Sequence, residues 1–198
     1  MKHPHPLHMR PFVPFVWIAV ALVACAATGP PPPTPEEQAR AQARYDEVQE
    51  LLAVDAGTGT AELERFLQEW PNSLLADDAA LELARRAEQG GQLERAARHL
   101  IWASRTHPRG DRIDEIQLLL AEVERARGHT EAAYRSAARI RLSRLAPEDR
   151  HRVHVLLASL ADERGDHTLS LRWWARAHGS AGDVAGREAV DAAIDQML

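Results

Sequence analysis

The sequence predicts an all-α protein built as a solenoid of helical hairpins, and three observations support that prediction. Alanine, leucine, arginine and glutamate dominate the 198 residues, and runs of β-branched residues are missing. Glycine and proline interrupt the helical stretches at intervals. Gly91, Gly128 and Gly165 are spaced 37 residues apart each time, and such regular spacing indicates a structural repeat.

The sequence predicts an export signal over the first residues of the chain. Its basic leader carries Lys2 and Arg10 and no acidic side chain. An apolar core of about 12 residues follows, well short of the roughly 20 that span a bilayer. A secretory signal peptide over residues 1–24 is predicted by the charged leader, the short apolar core and the small residues that close it. Leu22-Val23-Ala24-Cys25 closes the core, and Cys25 is the only cysteine.

A leucine, a small pair and then cysteine resembles the lipobox of bacterial lipoproteins. The resemblance implies cleavage before Cys25, diacylglycerol on its thiol, and an acyl chain such as palmitate on the new amino group. The alternative is an ordinary signal peptide with an incidental cysteine. Ala26 follows where aspartate would retain an enterobacterial lipoprotein at the inner membrane. The resemblance therefore implies an outer-membrane anchor with the domain facing the periplasm, and the inner membrane remains the alternative.

Residues 25–35 contain the lipidated cysteine and a proline-rich tether. Consecutive prolines favour a stiff polyproline II spacer, and a ligand for a proline-binding module is the alternative. Residues 36–198 are predicted to form the helical repeat domain. The leader holds two of the 24 basic side chains and none of the 29 acidic ones, so the mature chain is near −7. This acidity argues against nucleic acid or an anionic membrane face as partner.

Apolar spacing and breaker residues predict each helix in order. The expected ranges are about 35–53, 60–69, 75–89, 93–106, 112–127, 130–144, 147–164, 167–178 and 184–197. The last helix is expected to cap the open end of the stack, because exposed solenoid ends need a covering element.

Aligning the chain on the three glycines brings other positions into register. These are Leu83, Leu120 and Leu157, each followed by alanine, and Ala96, Ala133 and Ser170 five residues after each glycine. The pattern resembles the tetratricopeptide repeat, although the unit is 37 rather than about 34 residues long. That resemblance implies a right-handed solenoid whose first helices line a concave, protein-binding face.

Carrying the family's contact positions over by register marks a set of first-helix residues as partner-binding. They are Asp78, Arg85, Glu88, Gln89, Glu122, Arg125, Arg152, Ser159, Asp162 and Glu163. Charges of both signs would suit a peptide's backbone and side chains. For any single residue, the alternative is an ordinary solvated helix face.

The stretch ending in Trp70-Pro71-Asn72-Ser73 resembles the inter-repeat motif of tetratricopeptide outer-membrane lipoproteins. That group includes the lipoprotein of the β-barrel assembly machine and the helical amino-terminal part of penicillin-binding-protein activators. The resemblance implies an envelope scaffold for protein–protein interactions. The alternative is an accessory lipoprotein that activates a peptidoglycan synthase or hydrolase.

The sequence predicts no enzyme, cofactor, metal site or small-molecule substrate. His151 and His154 share a helical face, but no third ligand accompanies them, and zinc sites use three or four. Ser159, Asp162 and His167 lack the G-x-S-x-G elbow and the strand that would support it.

Overall fold

The computed structural model describes residues 33–182 and 184–195, and its regular elements over these ranges are all helical. They are α1 Pro35–Val54, α2 Ala56–Glu69, α3 Ala76–Gln89, α4 Leu93–Thr106, α5 Ile113–Ala126, α6 Thr130–Ala137, α7 Pro147–Glu163, α8 His167–Ser180 and α9 Val184–Asp195. The all-α prediction is confirmed. The predicted signal peptide, Cys25 and most of the tether lie outside the described residues. Within those residues, no helix is long and apolar enough to cross a membrane.

The helices pack as successive hairpins. The most extensive contacts join α1 to α2, α3 to α4, α5 to α6 and α7 to α8. Each hairpin then packs on the next, and the first helices α3, α5 and α7 also touch one another in sequence. Contacts between neighbours in the chain therefore build the stack, as expected for a helical-hairpin solenoid.

The three glycines of the 37-residue register end the first helices in the same way. Gly91, Gly128 and Gly165 have φ angles of 69°, 79° and 76°, in the left-handed region that favours glycine. In each case the next residue's N–H donates to the carbonyl five residues earlier, as Gln92 does to Ala87 at 2.8 Å. This is the Schellman arrangement, and it satisfies carbonyls that would otherwise lack a partner at the helix end.

Small residues of the register lie where paired helices meet. Ala96 and Ala133 have no exposed surface. Ser170, their equivalent in the third unit, is also fully buried and donates its hydroxyl hydrogen to the carbonyl of Ala158 on the facing helix, at 2.9 Å. The leucine–alanine pairs of the first helices, such as Leu120 with Ala121, are buried as well. The sequence register therefore corresponds to the packed core.

Helix α2 begins at Ala56, earlier than the predicted start near residue 60. Asp55 caps it by accepting from the N–H of Gly57 at 2.9 Å. Gly59 is buried inside the helix, and a Cβ there would lie 2.6 Å from the backbone of Leu52 on α1. Gly59 therefore permits a close crossing of α1 and α2.

Helix α6 ends at Ala137, seven residues short of the predicted end at 144. The buried carboxylate of Asp114 on α5 accepts the backbone N–H of Arg141 at 3.0 Å. A short 3-10 turn, Leu142–Arg144, follows. The prediction of a helix over 130–144 was wrong, because a tertiary hydrogen bond takes a backbone donor that a longer helix would have used.

Helix α9 covers the far end of the stack, as predicted. Val190 is 1% exposed and packs with Ala158, Trp174 and Ala177 of the last hairpin. Ala193 and Ile194 add partly buried contacts to the same cluster. The outer side of α9 carries exposed residues such as Asp191, so the stack ends on a polar surface.

Candidate protein-interaction face

Ion pairs join each complete repeat's first helix to the next. Arg85 on α3 reaches Glu115 on α5 at 2.9 Å, and Arg152 on α7 reaches Glu122 on α5 at 2.6 Å. Positions 85 and 122 are equivalent in the 37-residue register, and so are 115 and 152. The same contact therefore recurs with its charges exchanged. Partly exposed ion pairs contribute at most about 1 kcal/mol each, so their main effect is to hold the side chains in place.

Two adjoining clefts open beside these ion pairs, and together they are termed the first-helix groove. The smaller has a volume of about 170 Å³ and is lined by Arg85, Glu115, Leu118, Leu119, Glu122, Leu145, Asp149 and Arg152. The larger, of about 450 Å³, is lined by Glu122, Arg125, Ala126, Arg152, Val155 and Leu156. Glu122 and Arg152 line both, so the clefts form one continuous surface of α3, α5 and α7. Leucine and valine side chains alternate there with charges of both signs.

Glu122 is the acid that lines both clefts of the groove. Burial raises the pKa of its carboxyl above the ordinary value, and hydrogen bonds from Arg152 oppose that rise. Glu88 and Asp149 add a smaller increase through repulsion. Its side chain keeps a quarter of its surface exposed. The carboxylate therefore stays accessible to a partner while Arg152 holds it in place.

The predicted partner-binding residues divide into two groups. Arg85, Glu122, Arg125 and Arg152 line the first-helix groove. The remaining ones lie elsewhere on the first helices: Asp78, Glu88, Gln89, Ser159, Asp162 and Glu163. The structure thus brings together four residues of the predicted set, and partner binding by any of them stays a prediction.

Several residues outside the groove have contacts within the fold. Asp78 pairs with Arg112 at 3.3 Å, and Asp162 is hydrogen-bonded to His167 Nδ1 at 2.8 Å. Glu163 pairs with Arg125 at 2.7 Å. Glu88 and Gln89 are exposed at the end of α3, whereas Ser159 is half-buried on α7. These positions hold elements together or face solvent beyond the clefts.

The groove also contains residues that the sequence interpretation missed. Glu115 is the register equivalent of Arg152, and Leu118 is the equivalent of Val155. The 37-residue spacing was therefore a sufficient signal for Glu115, whereas neither Leu118 nor Val155 was predicted. Leu145 gave no such signal, because it follows the early end of α6 and enters the groove from a loop.

The paired histidines contact helix α8. His151 Nδ1 lies 3.0 Å from the carbonyl oxygen of Ala177, and His154 Nδ1 lies 3.0 Å from Ser180 Oγ. His154 also stacks on Trp173, with ring centroids 5.9 Å apart, and burial lowers its pKa. These contacts give both imidazoles a packing role between α7 and α8.

Among the described residues, one carboxylate cluster is close enough to hold a metal ion. Asp77, Asp78 and Asp111 each offer an oxygen, and the three oxygens lie within 4.8 Å of one another. The sequence interpretation did not single out this cluster, because Asp111 is more than 30 residues from the other two.

The amino-acid sequence matches the tetratricopeptide repeat-like domain over residues 15–171. The match spans well over half of the chain. The chain belongs to the tetratricopeptide repeat-like domain family. Comparison with curated protein sequences finds no match. As a tetratricopeptide repeat-like domain, the chain is a scaffold for protein–protein interaction. The prediction of tetratricopeptide-like repeats is confirmed.

Proposed function

We propose that this chain is a lipid-anchored scaffold of the bacterial cell envelope that binds a protein partner in the first-helix groove. The observation that supports it best is the groove itself, where apolar side chains and charges of both signs form one continuous surface. Leu119, Leu145 and Val155 are half-buried there and can pack against apolar side chains of a partner.

The charged groups of the groove are already held by one another. Two nitrogens of Arg152 donate to the two carboxylate oxygens of Glu122, at 2.7 and 2.6 Å. Binding therefore costs little side-chain entropy for these residues, since their conformations are restricted beforehand. Guanidinium donors and carboxylate acceptors can both serve a bound peptide, whose backbone offers each kind of group.

The anchor is the part of the proposal that rests on sequence alone. Leu22-Val23-Ala24-Cys25 resembles a lipobox, and Ala26 favours sorting to the outer membrane with the domain in the periplasm. The proline-rich segment from Pro30 to Pro35 then acts as a spacer between membrane and repeats. We also propose that the chain has no catalytic activity of its own and acts only by binding.

Site-specific photocrosslinking in intact cells tests the groove. A photoreactive amino acid replaces Leu119, inside the groove, or Arg135, whose side chain is 63% exposed on α6. We expect a defined protein adduct at position 119 and none at 135. Adding the substitution Arg152→Glu to the position-119 variant places a second acid beside Glu122 and should abolish the adduct at position 119. Identical adducts at both positions, or no adduct at 119, would reject the groove as the binding surface.

The identity of the captured protein then separates the two envelope roles. A component of barrel assembly or secretion supports the scaffold. A peptidoglycan synthase or hydrolase supports the alternative, an accessory lipoprotein that activates such an enzyme.

A further inference from the structure

An unbalanced group of carboxylates lies where the first two complete hairpins meet. Asp77 and Asp78 begin α3, and Asp111 precedes α5. Their oxygens lie within 4.8 Å of one another. Like charges this close repel strongly, so an arrangement of this kind needs a compensating cation or proton.

Asp77 is the central member of the group. Its side chain is almost completely buried, with 1% of the residue exposed. Its Oδ1 accepts the N–H of Asp78 at 3.1 Å, whereas no protein group lies in hydrogen-bonding geometry with Oδ2. Burial is the main reason that the pKa of this carboxyl is raised, and repulsion by Asp111 raises it further. His107 and neighbouring backbone N–H groups lower it only in part.

The surrounding arginines do not balance these charges. Arg112 pairs with Asp78 at 3.3 Å and with Glu115 at 2.9 Å, and Arg85 pairs with the same Glu115 at 2.9 Å. These two guanidinium groups thus pair with Asp78 and Glu115, and among the described residues no arginine pairs with Asp77 or Asp111, which leaves two negative charges. Helix α1 lies beside the same negative charge. The pKa of its Tyr45 is raised to about 12, mainly by burial and to a smaller extent by Asp78 and Glu82.

The next repeat provides an internal comparison. Asp114 is the register equivalent of Asp77 and is similarly buried. Arg141 compensates it, with its Nη2 3.1 Å from Asp114 Oδ2 and its backbone N–H donating to Oδ1. In the first repeat Asp77 has no such arginine and faces two further acids instead. The two junctions thus share a buried acid and differ in the cation that would neutralise it.

We propose that Asp77, Asp78 and Asp111 form a calcium-binding site that joins α3 to the loop preceding α5. The ligands are all carboxylate oxygens, which favour hard cations. Ca²⁺ accepts irregular oxygen geometry with a variable number of ligands, whereas Mg²⁺ demands a near-ideal octahedron and gives up its water reluctantly. The ion supplies the two positive charges that the arginines leave missing.

The affinity follows from the ligand count. Ca²⁺ takes about six to eight oxygen ligands, so water must provide those that three carboxylates do not. Asp111 is exposed and leaves the ion open to solvent on that side. We expect a dissociation constant of about 10⁻⁴ to 10⁻³ M, in the range of weak calcium modules.

Thermal unfolding of the full-length protein in detergent tests the site. Relative to EDTA, 10 mM CaCl₂ should raise the Tm by roughly 3–8 °C. NaCl of equal ionic strength should not reproduce this rise, and MgCl₂ should give a smaller one. Asp111→Asn removes an exposed ligand and should abolish the response. Asp46→Asn, an exposed acid on α1, should leave it intact.

A second variant tests the charge argument directly. Asp111→Arg places a guanidinium beside Asp77, as Arg141 lies beside Asp114, and should raise the Tm in EDTA while removing the calcium response. An unchanged parent Tm in CaCl₂, an equal response to MgCl₂, or a full calcium response in Asp111→Asn would each overturn the proposal.

Discussion

Single residues of two kinds determine how the hairpins close. Alanines at the helix contact leave no room for a larger side chain, as the complete burial of Ala96 and Ala133 shows. Glycines at the turns adopt a backbone conformation that other residues reach only with strain, as Gly128 does at φ 79°. Both effects are local, so both can be tested by one substitution with a matched control.

Enlarging Ala133 should destabilise the second complete hairpin. Ala133→Leu overpacks a fully buried contact, and overpacking typically costs about 1–3 kcal/mol. Arg135→Leu, at a position 63% exposed on the same helix, should leave the free energy of unfolding nearly unchanged. Urea unfolding followed by circular dichroism measures both. Equal stabilities for both variants and the parent would remove the packing role assigned to the small residues.

Replacing the turn glycine should also destabilise the fold, for a purely conformational reason. A Cβ on Gly128 would meet nothing within 4 Å, so Gly128→Ala has only the left-handed backbone to oppose it, at about 1–2 kcal/mol. Gly179→Ala lies within helix α8 with the same open surroundings, and should be neutral or stabilising by up to about 1 kcal/mol. The two midpoints of urea unfolding should therefore move in different directions or by clearly different amounts. A Gly128→Ala protein as stable as the parent would contradict the Schellman assignment.

At the scale of elements, polar groups that lie between helices determine where a helix ends and how the stability of the fold responds to pH. Asp114 on α5 ends α6 by accepting the N–H of Arg141. His99 on α4 lies against α2, with its Nε2 3.8 Å from a carboxylate oxygen of Glu64. Each contact crosses from one element to another, so its effect depends on the packing.

His99 should make the fold less stable in mild acid. Burial lowers the pKa of this imidazole, with Arg95 and Arg98 adding to the effect and Glu64 opposing it. The unfolded chain therefore binds the proton more readily than the folded one. The stability that neutral His99 contributes is fully present above the ordinary pKa and is lost as the pH falls from there through the lowered pKa of the folded state. Between about pH 7.5 and about pH 5.5, the Tm of the parent should fall further than that of His99→Gln. Parallel falls in differential scanning calorimetry would show that His99 is not linked to unfolding.

At the scale of the whole molecule, the chain combines a repeat scaffold with a proposed membrane anchor. The family match and the hairpin stack establish the scaffold. The anchor is a separate prediction from Leu22-Val23-Ala24-Cys25, which lies outside the described residues. The two parts can be tested independently, because loss of the anchor should leave the repeats folded.

Cys25→Ser should abolish lipidation. The thiol is the proposed acceptor of diacylglycerol, and the chain contains no other cysteine. Metabolic labelling with a fatty-acid analogue should mark the parent and not the variant, and the variant should keep its leader. Ala26→Asp, which alters only the sorting residue, should still be labelled but should fractionate with the inner membrane. Equal labelling of parent and Cys25→Ser would exclude the anchor.

Sequence patterns were sufficient for the order of the helices, the glycine turns and the small residues of the core, although not for the start of α2 or the end of α6. Such patterns depend on local propensity and on a 37-residue spacing, both of which can be read along the chain. The spacing also implied Glu115 in the groove, although only its register equivalent Arg152 was predicted.

The sequence by itself therefore determined the repeat and its packing, whereas the tertiary structure alone decided which charges meet. Arg85 with Glu115 and Arg152 with Glu122 join residues 30 positions apart, and Asp114 with Arg141 joins residues 27 apart. Helix propensity and periodicity place each charge on a helix face but do not select its partner across the stack. The early end of α6 follows from such a pairing, because a buried polar group is normally satisfied by whichever element packs against it. At the acidic junction the packing instead leaves Asp77 Oδ2 without a protein partner.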